Sequence, residues 1–548
     1  LQKFFPKWSA IPKHWQLLIL VCLIAGLIFR WVNLGKVYWY DETFTSLRIS
    51  GYTEAEAVQA LSPQKLVEPS AFREFQQINP AKGLANTVNG LAKEEPQHTP
   101  LYFVLVRLWA SLFGDSVTAI RIVSVVLSLL ALPCMGWLCW ELYQSAGAAW
   151  IGTALLAVSP FQIVYAQEAR PTALWVTTIL LSSAALLRAL RVQTPRSWLI
   201  YALCLTINLY AFLFSSLVAI VHTVYVIVVE RGRWTANLKR FVLALLISIV
   251  AFAPWLIMLK LNASQVDTAT NWLTGASRFS LGDFVKLWSY HLILPFVDRG
   301  SFSLPTGIKL LFVLLQVLVR LLLLYGLYLL CRRTPLRTWL FVVLLIGIPA
   351  LALTLPDILL GGKRSTIPRY VVPVYLGLEL LMTYAVTQYL LPAVGRGRWR
   401  QRILQLAAVL VFGAGILSSS LIAQSSAWWN KGHNSRMFDI TRQINQTERP
   451  LIVSNAELGD LLAISRYLDP KVRLLMQPAC LTCGFNREQL EQLQLPSIPA
   501  GYSDVFLYNP RPTDTWLSQL QQQKTYQVET LSEVKGDWNT EYWLWKLK

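Results

Sequence analysis

The chain has 548 residues, 54% of them hydrophobic and only 14% charged, and carries a net charge of +19. A soluble domain holds about 25% charged residues, so this composition excludes an ordinary soluble protein and describes a polytopic membrane protein. The basic excess does not describe a nucleic-acid binder, because much of it lies in short loops between apolar runs, where it sets topology.

From the N-terminus, Lys3, Lys7 and Lys13 precede the first apolar run. That run is long, contains Arg30 and shows no small-x-small cleavage site, which predicts a retained signal anchor rather than a removed signal peptide. Eleven spans are predicted, at 15–34, 118–143, 147–163, 172–191, 197–212, 213–229, 239–259, 306–331, 336–355, 370–391 and 403–423, on the rule that about 20 apolar residues cross a hydrocarbon core. With these spans, the groups Arg188/Arg191/Arg196, Arg231/Arg233/Lys239/Arg240, Arg332/Arg333/Arg337 and Arg396/Arg398/Arg400/Arg402 fall on the same face as the N-terminus. That face is the cytoplasmic one. The stretch 99–114, TPLYFVLVRLWASLFG, is apolar but only about 24 Å long as a helix. Arg107 at its centre is expensive inside lipid. A crossing here would flip every later basic loop, so the stretch is expected to lie in the interface plane.

Three outer segments follow: 35–117, 260–305 and the polar tail 424–548. The division expected is a membrane catalytic domain over 1–423, including the outer loop 35–117 with interfacial helices, and an extracytoplasmic domain over 424–548. In the tail, strand-like runs at 451–454, 472–476, 504–508 and 540–547 alternate with helix-like runs at 456–467 and 512–523, the pattern of a small α/β domain. Of seven cysteines, five lie in or beside apolar runs and behave as small hydrophobes. Cys480 and Cys483 form a lone C-x-x-C, too few ligands for a structural zinc site and suited to a local disulfide in an oxidising compartment.

The residues able to carry chemistry cluster at the outer helix ends. Asp41 and Glu42 follow the aromatic run Tyr38–Trp39–Tyr40 just after the first span. A purely structural reading makes Asp41 a helix cap and the aromatics an interfacial belt. Three further helix starts on that face carry a basic or titratable residue: Arg170 before Pro171, Arg369 downstream of Lys363 and Arg364, and His98 before Thr99–Pro100. Each alone fits an ion pair or a solvated loop. Together they suit an anion, since helix N-termini already favour one. An acid at headgroup depth is placed to deprotonate a hydroxyl, and cations there to hold a departing phosphate. No P-loop, zinc-protease or nucleophile-elbow motif occurs, and no cofactor is predicted, although Asp41 and Glu42 are in principle able to bind a divalent metal.

The ordered series of an acid pair after the first span, QHTPLYFVLVRLWASLFGDSVTAIRIVSVV, SPFQIVYAQEARPTAL and RYVVP resembles the GT-C glycosyltransferases, nearest to the protein O-mannosyltransferases and the lipid A aminoarabinose transferases. The likeness covers about residues 15–391, and the tail only in kind. It implies a GT-C-like fold and transfer of a sugar from a polyprenyl-phosphate donor on the outer face of the plasma membrane. It also implies Asp41 as the catalytic acid of the first outer loop with Glu42 its neighbour, and His98, Arg170, Arg369 and, more weakly, Lys363 at the donor phosphate. Relatives often show two prolines after the His98 position, where Thr99 intervenes here. Phe44 stands where the aminoarabinose enzymes carry a basic residue, which points away from that sugar. The reaction expected is an inverting displacement onto an acceptor hydroxyl of a lipid, glycan or protein. Two rivals stay open: a carrier or flippase for lipid-linked sugars, and a non-catalytic envelope assembly protein.

Overall fold

The computed structural model describes residues 8–61, 66–274, 278–300, 304–390, 398–480, 482–483, 495–509, 516–517, 519, 527–535 and 541–547. Lys3, Lys7, Arg396 and most of the helix expected over 512–523 lie outside the described residues. In chain order the helices are α1 (Lys13–Trp31), α2 (Tyr40–Ser50), α3 (Glu54–Leu61), α4 (Leu84–Glu94), α5 (Leu101–Phe113), α6 (Val117–Tyr143) and α7 (Ala146–Ala157). Then come α8 (Pro160–Ala166), α9 (Thr172–Val192), α10 (Pro195–Ala211), α11 (Ser215–Val229), α12 (Ala236–Leu261), α13 (Ala263–Thr270) and α14 (Leu281–His291). The last are α15 (Thr306–Arg333), α16 (Leu336–Leu360), α17 (Val372–Leu390), α18 (Arg398–Gln424), α19 (Met437–Asn445) and α20 (Leu458–Ser465). The strands are β1 (Leu66–Val67), β2 (Pro450–Ser454), β3 (Arg473–Met476), β4 (Asp504–Asn509), β5 (Val528–Lys535) and β6 (Glu541–Leu547). They form two compact units, one of residues 1–34, 121–257 and 270–425, the other of 35–120, 258–269 and 426–548.

The first unit is a helix bundle. Each predicted span meets a helix, and one is broken: 147–163 divides into α7 and α8, which meet at a 57° bend. Ser159 and Pro160 sit at that bend, and proline at a first helical position lacks the N–H that would otherwise be orphaned. Among the described residues seven helices (α1, α6, α9, α12, α15, α16 and α18) are each long and apolar enough to cross a membrane, and the bent pair, taken as one span, makes an eighth. Helices α10 and α11 are shorter, with 17 and 15 residues. Leucine, isoleucine and valine crowd the outer faces, as at Leu243, Leu246, Ile247 and Val250 of α12. Helix α9, in contrast, is almost wholly buried.

The second unit is built on a six-stranded sheet of order β1-β3-β2-β4-β6-β5. The central strands β3, β2 and β4 run parallel, with α20 on the β2-to-β3 connection, as a parallel pair requires a crossover. Strands β6 and β5 close one side antiparallel. On the other side Leu66 and Val67 of β1 pair antiparallel with Leu475 and Leu474. The core beneath mixes Val37, Phe44 and Leu47 of the early segment with Ile452, Leu461 and Phe506 of the tail. Cys480 and Cys483 are joined in a disulfide. Arg107 of α5 is buried, and its guanidinium donates to the carbonyls of Ile49 and Lys82 within this unit.

Candidate active site

In the second unit Asp41 and Glu42 occupy the first turn of α2, where carboxylates complement the helix dipole. The residue flanking the helix is Trp39, with no side-chain cap, so Asp41 lies inside the helix and does not cap it. The two acids differ sharply. Glu42 is fully buried and its Oε2 accepts a hydrogen bond from Lys431 Nζ at 2.6 Å. The same ammonium donates to the Val37 carbonyl at 3.1 Å. Asp41 is half-buried. The residues around it are tightly tied. Tyr40 N–H donates to Asn434 Oδ1 at 2.8 Å and its phenol to Glu457 Oε2 at 2.5 Å. Burial first, and then the Glu457 carboxylate, push the Tyr40 phenol well above its ordinary range, so it remains a neutral donor. Glycine at 459 lets α20 approach α2: a Cβ there would lie 2.7 Å from the Tyr40 ring and 2.8 Å from that of Phe44.

His98 belongs to the same unit and connects to the same helix. Its Nε2 lies 3.8 Å from Glu95 Oε1. The other Glu95 oxygen accepts from Arg48 Nε at 2.7 Å, and Arg48 Nη1 donates to Glu94 at 2.5 Å. Burial opposes the charge on Arg48, but Glu95 and Glu94 outweigh it and hold the guanidinium ionised above its usual range. Helix α2 thus carries the acid pair at its start and the Arg48 anchor for Glu94, Glu95 and His98 six residues on, about 9 Å along the axis.

In the first unit Arg170 is buried in the turn between α8 and α9. Its N–H donates to the Glu168 carbonyl at 2.8 Å. Lys363, Arg364 and Arg369 lie on the loop between α16 and α17, which begins at Gly361 and Gly362, both at positive φ. Asp357 organises this loop by accepting from Arg364 Nη1 at 2.9 Å and from the Ser365 N–H and hydroxyl at 2.7 and 2.8 Å. His291 secures it from α14: Nε2 donates to the Ser365 carbonyl at 2.9 Å, leaving Nδ1 to accept from the Tyr375 hydroxyl at 2.6 Å. The Lys363 ammonium stands 5.1 Å from the Trp272 ring centroid. An aromatic chain brings the Arg170 and Arg369 segments to one end of the bundle. Trp175 of α9 stacks on Phe212 at 4.5 Å, and Phe212 lies 6.3 Å from Tyr370, beside Arg369.

The sequence-predicted residues therefore form two groups, Asp41, Glu42 and His98 in one unit and Arg170, Lys363 and Arg369 in the other. Lys431, Arg48 and His291 were missed, and the only sequence signal for Lys431 is a lone lysine beside the aromatic pair Trp428–Trp429. Among the described residues no three His, Cys, Asp or Glu side chains are grouped to hold a metal.

Residues 97–258 match the family model of the dolichyl-phosphate-mannose-protein mannosyltransferases. Among curated proteins none matches the chain in sequence. Two similar solved structures are ArnT from Cupriavidus metallidurans in the apo state (14% identity, TM-score 0.52) and the same protein bound to undecaprenyl phosphate (15% identity, TM-score 0.53). Each likeness covers 97% of this chain and 97% of that one. The chain therefore has the fold of these ArnT structures over nearly its whole length, and within it a segment that matches the mannosyltransferase family.

Proposed function

We propose that the chain is an integral-membrane glycosyltransferase with eleven spans. It moves a sugar from a polyprenyl-phosphate donor to a hydroxyl of a lipid, glycan or protein on the outer face of the plasma membrane. The N-terminus is cytoplasmic, and the tail 424–548 is the extracytoplasmic α/β part of the chain, built together with residues 35–120. The observation that carries the reading is the asymmetry of the acid pair: Glu42 is neutralised by Lys431 at 2.6 Å while Asp41 beside it stays half-buried.

In the reaction the acceptor O–H gives its proton to the Asp41 carboxylate. The freed oxygen lone pair forms a bond to the anomeric carbon from the face opposite the phosphate. The anomeric carbon–oxygen bond breaks, its electron pair passes to the phosphate, and the product is a glycoside of inverted configuration plus polyprenyl phosphate. Arg170, Arg369, His98 and Lys363 hold the leaving phosphate, arginine being suited to its paired oxygens. Glu42, locked to Lys431, fixes the start of α2 and so the direction of Asp41. No cofactor enters this scheme, and Asp41 and Glu42 are in principle able to bind a divalent metal. The carrier alternative requires charges along a path through the bundle. Two buried cations of the spans, Arg30 and Arg121, are instead tied to main-chain carbonyls, Arg121 to that of Leu34 at 2.6 Å.

The test is donor consumption by the purified chain in lipid nanodiscs supplied with labelled polyprenyl-phosphate sugars and candidate acceptors. Release of polyprenyl phosphate matched by labelled glycoside is expected. In sealed proteoliposomes of the same lipid, movement of intact donor across the bilayer without release would support the carrier reading and overturn this one.

A further inference from the structure

Arg30 is a fully buried cation on α1, a helix whose outer face is apolar. A guanidinium there is costly unless its donors are used. They are used on three helices, and two of the four hydrogen bonds go to the end of α7, at its break with α8. Nη1 donates to the Ala157 carbonyl at 2.6 Å and to that of Gly26 at 2.8 Å, Nη2 to the Leu156 carbonyl at 3.1 Å, and Nε to Ser128 Oγ at 2.8 Å. Leu156 and Ala157 end α7, whose last carbonyls have no partner of their own and whose dipole favours a cation. Gly26 lets the two helices touch, since a Cβ there would fall 2.3 Å from the Ala157 carbonyl oxygen.

Two more features converge on this break. Glu379 of α17 is fully buried, faces Ser159 and Gln162 at the start of α8, and lies within electrostatic reach of Arg30. At the other end of α8, Gln167 Nε2 donates to the Phe29 and Val32 carbonyls at 2.6 and 2.7 Å. The end of α1 therefore holds the chain on both sides of α8, at the end of α7 through Arg30 and just past α8 through Gln167, and three residues beyond the second contact stands Arg170.

We propose that Arg30 and Gln167 are positioning residues for Arg170: by fixing the end of α7 and the end of α8 to α1 they set the guanidinium that holds the donor phosphate. This rests on the donor reading above. Binding of undecaprenyl phosphate to the full-length protein in nanodiscs tests it, with Arg30→Met, Arg30→Lys and Gln167→Met each measured alone and combined with Arg170→Ala. Arg30→Met is expected to weaken binding about tenfold or more, since a small misplacement of a positioned group is costly, and Arg30→Lys to recover part of the loss. In the Arg170→Ala background the same changes are expected to alter binding by less than about twofold, because the loss runs through Arg170. Equal losses with and without Arg170, or unchanged binding in Arg30→Met, would overturn the proposal. Should Arg30→Met not fold, Gln167→Met decides by the same comparison. Absence of binding by the wild-type chain sinks the donor reading itself, whereas binding by the wild type with additive losses sinks only the positioning role.

Discussion

Glu42 and Lys431 lie 389 positions apart, and both side chains are at most 2% exposed. A buried pair of this kind contributes little net stability while intact, but removing one partner leaves an unpaired buried charge, at about 3–5 kcal/mol. Lys431→Met is therefore expected to lower the unfolding temperature sharply, and Glu42→Gln added to it to restore much of the loss. An uncoupled pair of effects in a thermal melt would refute the linkage. His291 gives a pH dependence. Burial holds its imidazole down at about 4, against an ordinary 6.5, with the Ser365 carbonyl opposing. The folded protein keeps His291 neutral where the unfolded chain already takes a proton, so its contribution is complete above about pH 6.5 and shrinks as pH falls toward 4, by about 3 kcal/mol in all. Melting temperatures measured between pH 7 and pH 4.5 are expected to fall more steeply for the wild type than for His291→Gln, and parallel curves would contradict the assignment. Residue chemistry was only partly legible in the sequence. Asp41, Arg170 and Arg369 stand out as candidates because the sequence places them at helix starts, whereas Lys431 and Arg30 have meaning only through partners far along the chain, which no local pattern encodes.

Elements were read more fully than residues, because the physics that makes them is local. A run of about 20 apolar residues has one economical fate, and the strand-like runs at 451–454, 472–476 and 504–508 meet β2, β3 and β4. What escaped was set by neighbours. Strand β1 is two residues long and exists through its pairing with β3. Strand β5, VETLSEVK, is polar and is held by β6. Helix α19 is a short amphipathic segment within the tail. The packing of α20 on α2 turns on Gly459. Gly459→Ala puts a methyl against the Tyr40 and Phe44 rings, an overpacking worth about 1–3 kcal/mol. The variant is expected to melt earlier and to lose transfer through displacement of the α2 start, whereas wild-type stability would show that the rings yield freely.

At the scale of the whole molecule, the tail shares its sheet and core with residues 35–120. A chain of 424–548 produced alone would expose the apolar side chains that Val37, Phe44, Leu47, Phe72 and Phe75 cover, so it is expected to lack a cooperative melt. A sharp, reversible transition would show instead that the tail folds by itself. The activity proposed above is likewise assigned to the full chain, and on that reading it depends most directly on Asp41. The decisive measurement is single-turnover sugar transfer from a labelled polyprenyl-phosphate donor by the purified full-length protein, wild type against Asp41→Asn, with donor binding followed in the same samples. The expected result is donor binding retained and transfer reduced by about 10²-fold or more, the usual range for loss of a general base. Transfer by Asp41→Asn within about twofold of the wild type, below any general-base contribution, would contradict the assignment of Asp41 as the base.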